Sequence, residues 1–357
     1  NQTGFRRIDP IGGKGYQWMN PYALDPNNNN IMYLAGGKYL WRNSDLSQIP
    51  LSNQYDSIST NWVQWNDSIP TALSEMTALA VSKTPANRVY YGTDKKRVYR
   101  VDNADSGTPT PIDITSTTST ALFPNTGYVS NITVDPQDGN KLMVVFSNYN
   151  VYSVFYSKDA GVTWEKAGGN LEAANTISPS IRWGAFLHVA DGTLYFLATS
   201  TGLYCTDTLM GINTVWVQQG TNTIGNAVCD MIDVRESDGL VVVATHANGI
   251  YSAKITSVND VVSSGNLSNF SDEIELKNYP NPFSNATTIE FNLKKPSAVT
   301  LEFWDDCGRI IETRKLDKLA TGKQTYQWDA SRLKAGTYYC ALNADGKRKV
   351  GRMVVIR

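Results

Sequence analysis

The 357-residue sequence predicts an all-β protein, and three features predict it. Short apolar stretches alternate with polar residues, turn formers (Pro, Asp-Gly, Gly) separate them, and one layout recurs: strand, tight turn, strand, small-residue turn, strand. The layout occurs five times, over residues 22–42, 78–100, 132–157, 186–205 and 231–252. Its first turns, at Pro26, Pro85, Pro136, Asp191 and Asp238, recur about every 50 residues, the spacing of β-propeller blades. Between units lie polar stretches with an aromatic strand, around Trp62 to Trp65, Trp164 and Trp216, which supply a fourth antiparallel strand to each blade.

The fifth unit stops at Ile255 with no fourth strand following, while the chain opens on Phe5-Arg6-Arg7-Ile8, which reads as a fourth strand with no blade ahead of it. Either residues 5–8 complete the last blade and close a five-bladed ring, or they end an earlier blade of a larger propeller. The second reading is preferred, because the first residues have neither a charged nor an apolar signal region.

Composition narrows the function. Thirty-two basic residues against 33 acidic ones give a net charge of -1, with none of the basic excess that nucleic acids or anionic membranes select. No apolar run reaches the roughly 18 residues of a membrane span, so neither membrane insertion nor nucleic-acid binding is expected. Four cysteines without a C-x-x-C pair, and two distant histidines, His188 and His246, predict no metal site and no cofactor.

From 256 to 273 the sequence turns to Ser, Asn and Asp and reads as a linker between a propeller at 1–255 and a second domain at 274–357. Alternating segments at 288–293, 298–304, 309–313, 324–328, 336–342 and 349–356 predict an immunoglobulin-like β-sandwich of about seven strands.

Ser157, Asp159, Gly161, Thr163 and Trp164 stand in the order S-x-D-x-G-x-T-W. The run resembles the Asp-box, or BNR repeat, of sialidase, xyloglucanase and sortilin-like propellers, which implies a structural hairpin. Locally, Asp159 suits accepting turn N–H groups, Gly161 suits positive φ and Trp164 suits packing between blades.

The sharpest motif is in the second domain: Tyr279-Pro280-Asn281-Pro282-Phe283, then Gly308-Arg309, Trp328-Asp329, Gly336 with Tyr338, and a basic-then-apolar end opened by Lys347 and Lys349. In order and spacing it strongly resembles the type A sorting domain of the type IX secretion system of Bacteroidota. The resemblance implies export through periplasm and outer membrane to the cell surface or medium. It also implies an outer-membrane translocon, a shuttle protein and a sortase as partners. A chain retained through Arg357 is then a form before sortase cleavage, or one that escapes it. By themselves the residues say less: Pro280 and Pro282 stiffen the approach to the sandwich, Gly308 and Gly336 permit turns, and the end is an edge strand.

The Asp-box raises a rival, a sialidase- or xyloglucanase-like glycoside hydrolase whose catalytic residues lie upstream. Its candidate acids here are weak. Asp25 and Asp135 precede prolines and suit turn capping, and Asp233 alternates with apolar neighbours on a sheet face. The leading expectation is therefore a non-catalytic propeller that binds glycan or protein. Trp18, Trp41, Trp62, Trp65, Trp183 and Trp216 serve either as sugar platforms or, for most, as interblade packing. Trp62 and Trp65, three apart, are expected on opposite faces of one strand.

Cys205 and Cys229 either bridge adjacent blades or are buried thiols, and Cys307 and Cys340 form a second candidate disulfide pair. Ser57, Ser68 and Thr208 sit in triplets resembling the O-glycosylation sequence of exported Bacteroidota proteins.

Overall fold

The repeat layout folds as a series of antiparallel sheets. The first blade is β1 (Tyr22–Asp25), β2 (Asn28–Gly36), β3 (Tyr39–Asn43) and β4 (Trp62–Trp65). The second is β5 (Met76–Ser82), β6 (Arg88–Thr93), β7 (Val98–Val101) and β8 (Ile112–Asp113). The third is β9 (Val129–Val134), β10 (Leu142–Phe146), β11 (Val154–Ser157) and β12 (Glu165–Lys166), and the fourth β13 (Ile181–Val189), β14 (Gly192–Thr199), β15 (Gly202–Thr206) and β16 (Val217–Gln219). A fifth sheet holds β17 (Cys229–Arg235), β18 (Leu240–Thr245) and β19 (Ile250–Lys254).

This computed structural model describes residues 4–66, 68–70, 74–147, 149, 151–172, 178–221, 223–261, 276–293, 295–305, 309–344 and 347–356, the side chains of 347–350 and 352 excepted. Two units result, Asn1–Ser264 and Gly265–Arg357.

Each blade is two-sided and shares its apolar faces with its neighbours. Blades one and two enclose Tyr33, Leu40, Trp65, Val89 and Tyr91; blades two and three enclose Tyr90, Phe123, Ile132 and Phe155. Blades three and four enclose Met143, Tyr156, Phe186 and Trp216, and the fourth blade and fifth sheet enclose Leu194, Phe196, Cys205 and Val243. Phe123 meets Phe146, Phe155 and Trp164 edge-on at centroid distances of 5.1, 4.7 and 5.1 Å, and each such pair adds about 0.5–1.5 kcal/mol beyond area burial. Trp65 joins the core shared with blade two while Trp62 packs on the opposite face beside Met32 and Trp41, as a three-residue offset in a strand requires.

Residues 5–8, read as the fourth strand either of the last blade or of an earlier one, belong to no sheet among the described residues. Arg6 and Pro10 bridge in parallel to Gln54 and Ile58, the Ile58 N–H donates to the Asp9 carbonyl at 3.0 Å, and the Phe5 ring lies 4.8 Å from Tyr55. The segment therefore pairs with the long β3–β4 connection. The linker expected from 256 also starts later. Ile255 and Val261 are buried in the core shared by the last two sheets. Between them, Ser257 and Val258 donate to the Asp191 carboxylate at 2.7 and 2.9 Å.

The second unit packs a sheet of β20 (Leu276–Tyr279), β21 (Ala286–Leu293) and β24 (Gly322–Asp329) on another of β22 (Ser297–Asp305), β23 (Ile310–Leu319), β25 (Gly336–Ala344) and β26 (Lys347–Val355). Side chains alternate in and out along β21 and β22, and the inward set, with Phe291, Leu301, Phe303, Trp328, Leu342 and Met353, forms one core. The Trp328 ring stacks on Phe303 at 4.4 Å with an interplanar angle of 6°.

Candidate functional site

The sorting motif is built where the chain enters β21 and where β26 ends. Asn281 Oδ1 accepts the Val354 N–H at 2.8 Å, the Phe283 N–H donates to the Val354 carbonyl at 3.0 Å, and the Ile356 N–H donates to the Phe283 carbonyl at 2.8 Å. The Pro280 carbonyl accepts the Thr287 hydroxyl at 2.8 Å. The proline-rich segment thus clamps the far end of the domain. Proline suits this work because it leaves N–H donors only at Asn281 and Phe283, and fixes φ beside them.

Phe283 anchors the clamp. It is 3% exposed and meets Trp328 edge-on at 6.2 Å, and Tyr338 meets Trp328 from another side at 6.3 Å. Tyr338 donates its hydroxyl to the Lys334 carbonyl at 2.9 Å. The motif therefore divides into two groups. Phe283 and Tyr338 face the core, whereas Tyr279, Pro280, Pro282, Arg309 and Gly336 are exposed. Tyr279 donates to Glu290 at 2.8 Å and Arg309 pairs with Asp305 at 2.8 Å. Gly308 and Cys307 lie outside the described residues, as do the side chains of Lys347 and Lys349, whose backbones pair with Ala344 and Leu342.

In the propeller, Ser157 to Trp164 form a closed hydrogen-bonded turn between β11 and β12. Asp159 accepts the Thr163 N–H at 2.8 Å and its hydroxyl at 2.6 Å, and Ser157 Oγ donates to Asp159 at 2.8 Å while accepting the Gly161 N–H at 2.9 Å. Gly161 has φ +84°, and a Cβ there would lie 2.4 Å from Ile114. Trp164 Nε1 donates to the Ile114 carbonyl of blade two at 2.8 Å. Burial pushes the Asp159 carboxyl up, but the bonds from Thr163 and Ser157 outweigh it and hold the group below the usual carboxylate range.

The candidate acids are committed to the backbone. Asp25 Oδ1 accepts the N–H groups of Asn27 and Asn28, and Asp135 Oδ1 accepts those of Gln137 and Asp138. Asp135 Oδ1 also hydrogen-bonds His188 Nε2 of blade four at 2.7 Å, and the other ring nitrogen bonds the Thr193 hydroxyl at 3.0 Å. That chain ties two blades together. Asp233 is exposed and accepts the next N–H, and His246 lies 3.7 Å from Asp230, which pairs with Arg182 at 2.6 Å. Of the tryptophans, Trp18 alone stands fully exposed, before β1.

Cys205 and Cys229 are free, buried thiols on the two faces of one core, and Cys340 is free and buried in the sandwich. Burial pushes Cys205 above its ordinary range, Cys229 to about 11 and Cys340 to about 12, which leaves them protonated and unreactive at neutral pH. Of the two readings, a bridge or buried thiols, the structure has the thiols: each Sγ lies near a carbonyl, of Thr206 and Ala227. Ser68 is corrected as a glycosylation position, because it is fully buried with its hydroxyl donating to Trp65 and accepting from Leu40. Ser57 is half-buried and donates to Asp9, whereas Thr208 is exposed.

Sequence patterning missed Thr287 and Glu172, and it placed Trp328 in the motif without its role as the ring that Phe283 packs on. Thr287 is an ordinary strand residue until the chain crosses it at Pro280. Glu172 follows β12 with nothing local to mark it, yet burial raises its carboxyl to about 7.

Residues 277–357 match the family model described as the secretion system C-terminal sorting domain. No curated protein matches the chain. Among solved structures, the chain is similar to PorZ of Porphyromonas gingivalis, described as an essential bacterial surface component of the type IX secretion system. The two are 15% identical with a TM-score of 0.35, over 94% of this chain and 51% of PorZ. It is also similar to YCF48 from Cyanidioschyzon merolae, at 11% identity and a TM-score of 0.41, over 93% and 94% of the two chains. The β-propeller domain of Cps50 (Swd1) from Myceliophteria thermophila is 13% identical with a TM-score of 0.40, over 66% and 70%. The chain thus spans about half the length of PorZ. It carries a type IX secretion tail, which implies interaction with that machinery and export to the cell surface or the extracellular space. Among the described residues no helix is long and apolar enough to cross a membrane.

Proposed function

We propose that this protein is type IX cargo in which residues 274–357 deliver a non-catalytic propeller that binds glycan or protein outside the cell. The observation that carries the reading is the sorting-domain match at 277–357, whose motif splits into a core-facing anchor and an exposed group. The exposed members, Tyr279, Pro280, Pro282 and Arg309, are the surface offered to the translocon, the shuttle protein and the sortase. Thr208 is the one of the three O-glycosylation candidates whose side chain is open to a transferase.

The non-catalytic part of the reading is supported by the use of Asp25 and Asp135 as turn caps and by the Asp159 turn, whose side chains are bonded within their own hairpin. Removing 274–357 should leave the propeller in the periplasm, measured by cell fractionation. Normal export of the truncated chain would defeat the sorting role, and turnover of a glycan by the full chain would defeat the non-catalytic one.

A further inference from the structure

We propose that a cleft at the junction of the third and fourth blades binds a carboxylate-bearing saccharide, a uronate, through Lys166 and Glu172. This deepens the glycan-binding reading and rests on it. The cleft has a volume of about 410 Å³, toward the lower end of small-ligand sites, and Tyr152, Lys166, Glu172, Ile212, Asn213 and Val215 line it.

Its walls are held by blade-to-blade bonds. The Asn170 N–H donates to the Thr214 carbonyl at 3.1 Å, and the Asn170 amide takes both backbone groups of Trp216, donating at 3.0 Å and accepting at 2.7 Å. Gly169, at φ +51°, lets the chain pass against Thr214, where a Cβ would lie 1.8 Å from the carbonyl oxygen. The cleft is therefore preformed, which lowers the ordering cost of binding.

Its charged lining is one lysine and one carboxyl. Lys166 Nζ sits 4.8 Å from the centroid of the Tyr152 ring, and among the described residues no carboxylate oxygen is within ion-pairing distance of it. Glu172 is the one carboxyl in the lining, and its Oε1 accepts the Ser153 N–H at 2.7 Å. Burial raises that carboxyl to about 7 against the opposing pull of Ser153 and Lys166, so near neutrality a large share of it is protonated. A ligand carboxylate then meets an ammonium and a carboxylic O–H donor. Once Glu172 ionises, its charge partly offsets the field of Lys166 and repels the ligand. Tyr152, Lys166 and Glu172 are the titratable groups in the lining.

The rim explains why the ligand is a sugar acid instead of a bare carboxylate. Ile212 is 68% and Val215 39% exposed, and together they offer an apolar lip suited to the C–H face of a pyranose while Asn213 offers hydroxyl partners. One carboxyl does not supply the acid and nucleophile pair that most glycosidases use, so the inference is one of binding.

The test is calorimetric titration of the full chain with glucuronate and with glucose at pH 6 and pH 8, beside an array of plant and host polysaccharides. Glucuronate should bind more tightly than glucose, and about tenfold more weakly at pH 8 than at pH 6, following the protonated fraction of a group titrating near 7. Lys166→Met should abolish the preference for glucuronate, and Glu172→Gln should bind with no pH dependence. Equal binding of the two sugars, or unchanged glucuronate binding by Lys166→Met, would overturn the site. If Lys166→Met does not fold, the wild-type and Glu172→Gln pH profiles decide: a pH-independent wild type refutes it. Array binding without glucuronate binding refutes this cleft alone, whereas no glycan binding of any kind removes the broader glycan reading with it.

Discussion

Glu172 and Asp159 show how two carboxylates of one blade acquire opposite properties. Asp159 is bonded by its own hairpin and stays ionised, while Glu172 is half-buried behind β12 and carries a carboxyl raised to about 7. An acid whose folded value exceeds its unfolded value holds more protons in the native state. It favours folding fully below the unfolded value, near 4.5, and that contribution is lost as pH rises through about 7. The thermal midpoint of the propeller should accordingly fall by a few degrees between pH 5 and pH 8, and Glu172→Gln should flatten this slope in scanning calorimetry. A wild-type midpoint that rises over that window would show that Glu172 is not the controlling group. Asp159 was legible because its partners are four residues away or fewer. Glu172 was not, because its burial depends on residues of the neighbouring blade.

At the scale of elements, the segment from Tyr279 to Phe283 acts as a clasp between β20, β21 and β26. Its proline spacing is visible in the sequence, but its partner, the backbone of Val354, lies 73 residues downstream. Phe283→Ala removes a fully packed aromatic that touches Trp328 and should cost the sandwich about 3–5 kcal/mol. Asn281→Ala should cost about 1 kcal/mol, since it removes one side-chain bond at an exposed edge. Denaturant titration of the sorting unit checks both, and a Phe283→Ala loss below that of Asn281→Ala would show that the clasp is held by its hydrogen bonds and not by the aromatic anchor. The blades were legible as elements too, because alternation and turn residues are local, and the offset of Trp62 and Trp65 assigned them correctly to two faces. The site of residues 5–8 was not, since a strand-like sequence does not say which edge it meets.

For the whole molecule, the two units have separate apolar cores, so each should unfold as its own cooperative transition. Calorimetry should resolve two endotherms, and Phe283→Ala should move only one of them. A single transition shifted as a whole by that substitution would contradict independent units. Local patterning was enough to decide that the protein is all-β, that blade-like units recur about every 50 residues, and that the last 80 or so carry a secretion motif, because strand periodicity, turn chemistry and motif order are properties of neighbouring residues. Only the tertiary structure decided which side chains serve packing and which remain available. It buried Ser68, left Cys205 and Cys229 as separate thiols, tied Asp135 to His188 across blades, and set Lys166 and Glu172 in one cleft. Burial and proximity arise from contacts between blades, and spacing along the chain carries no measure of either.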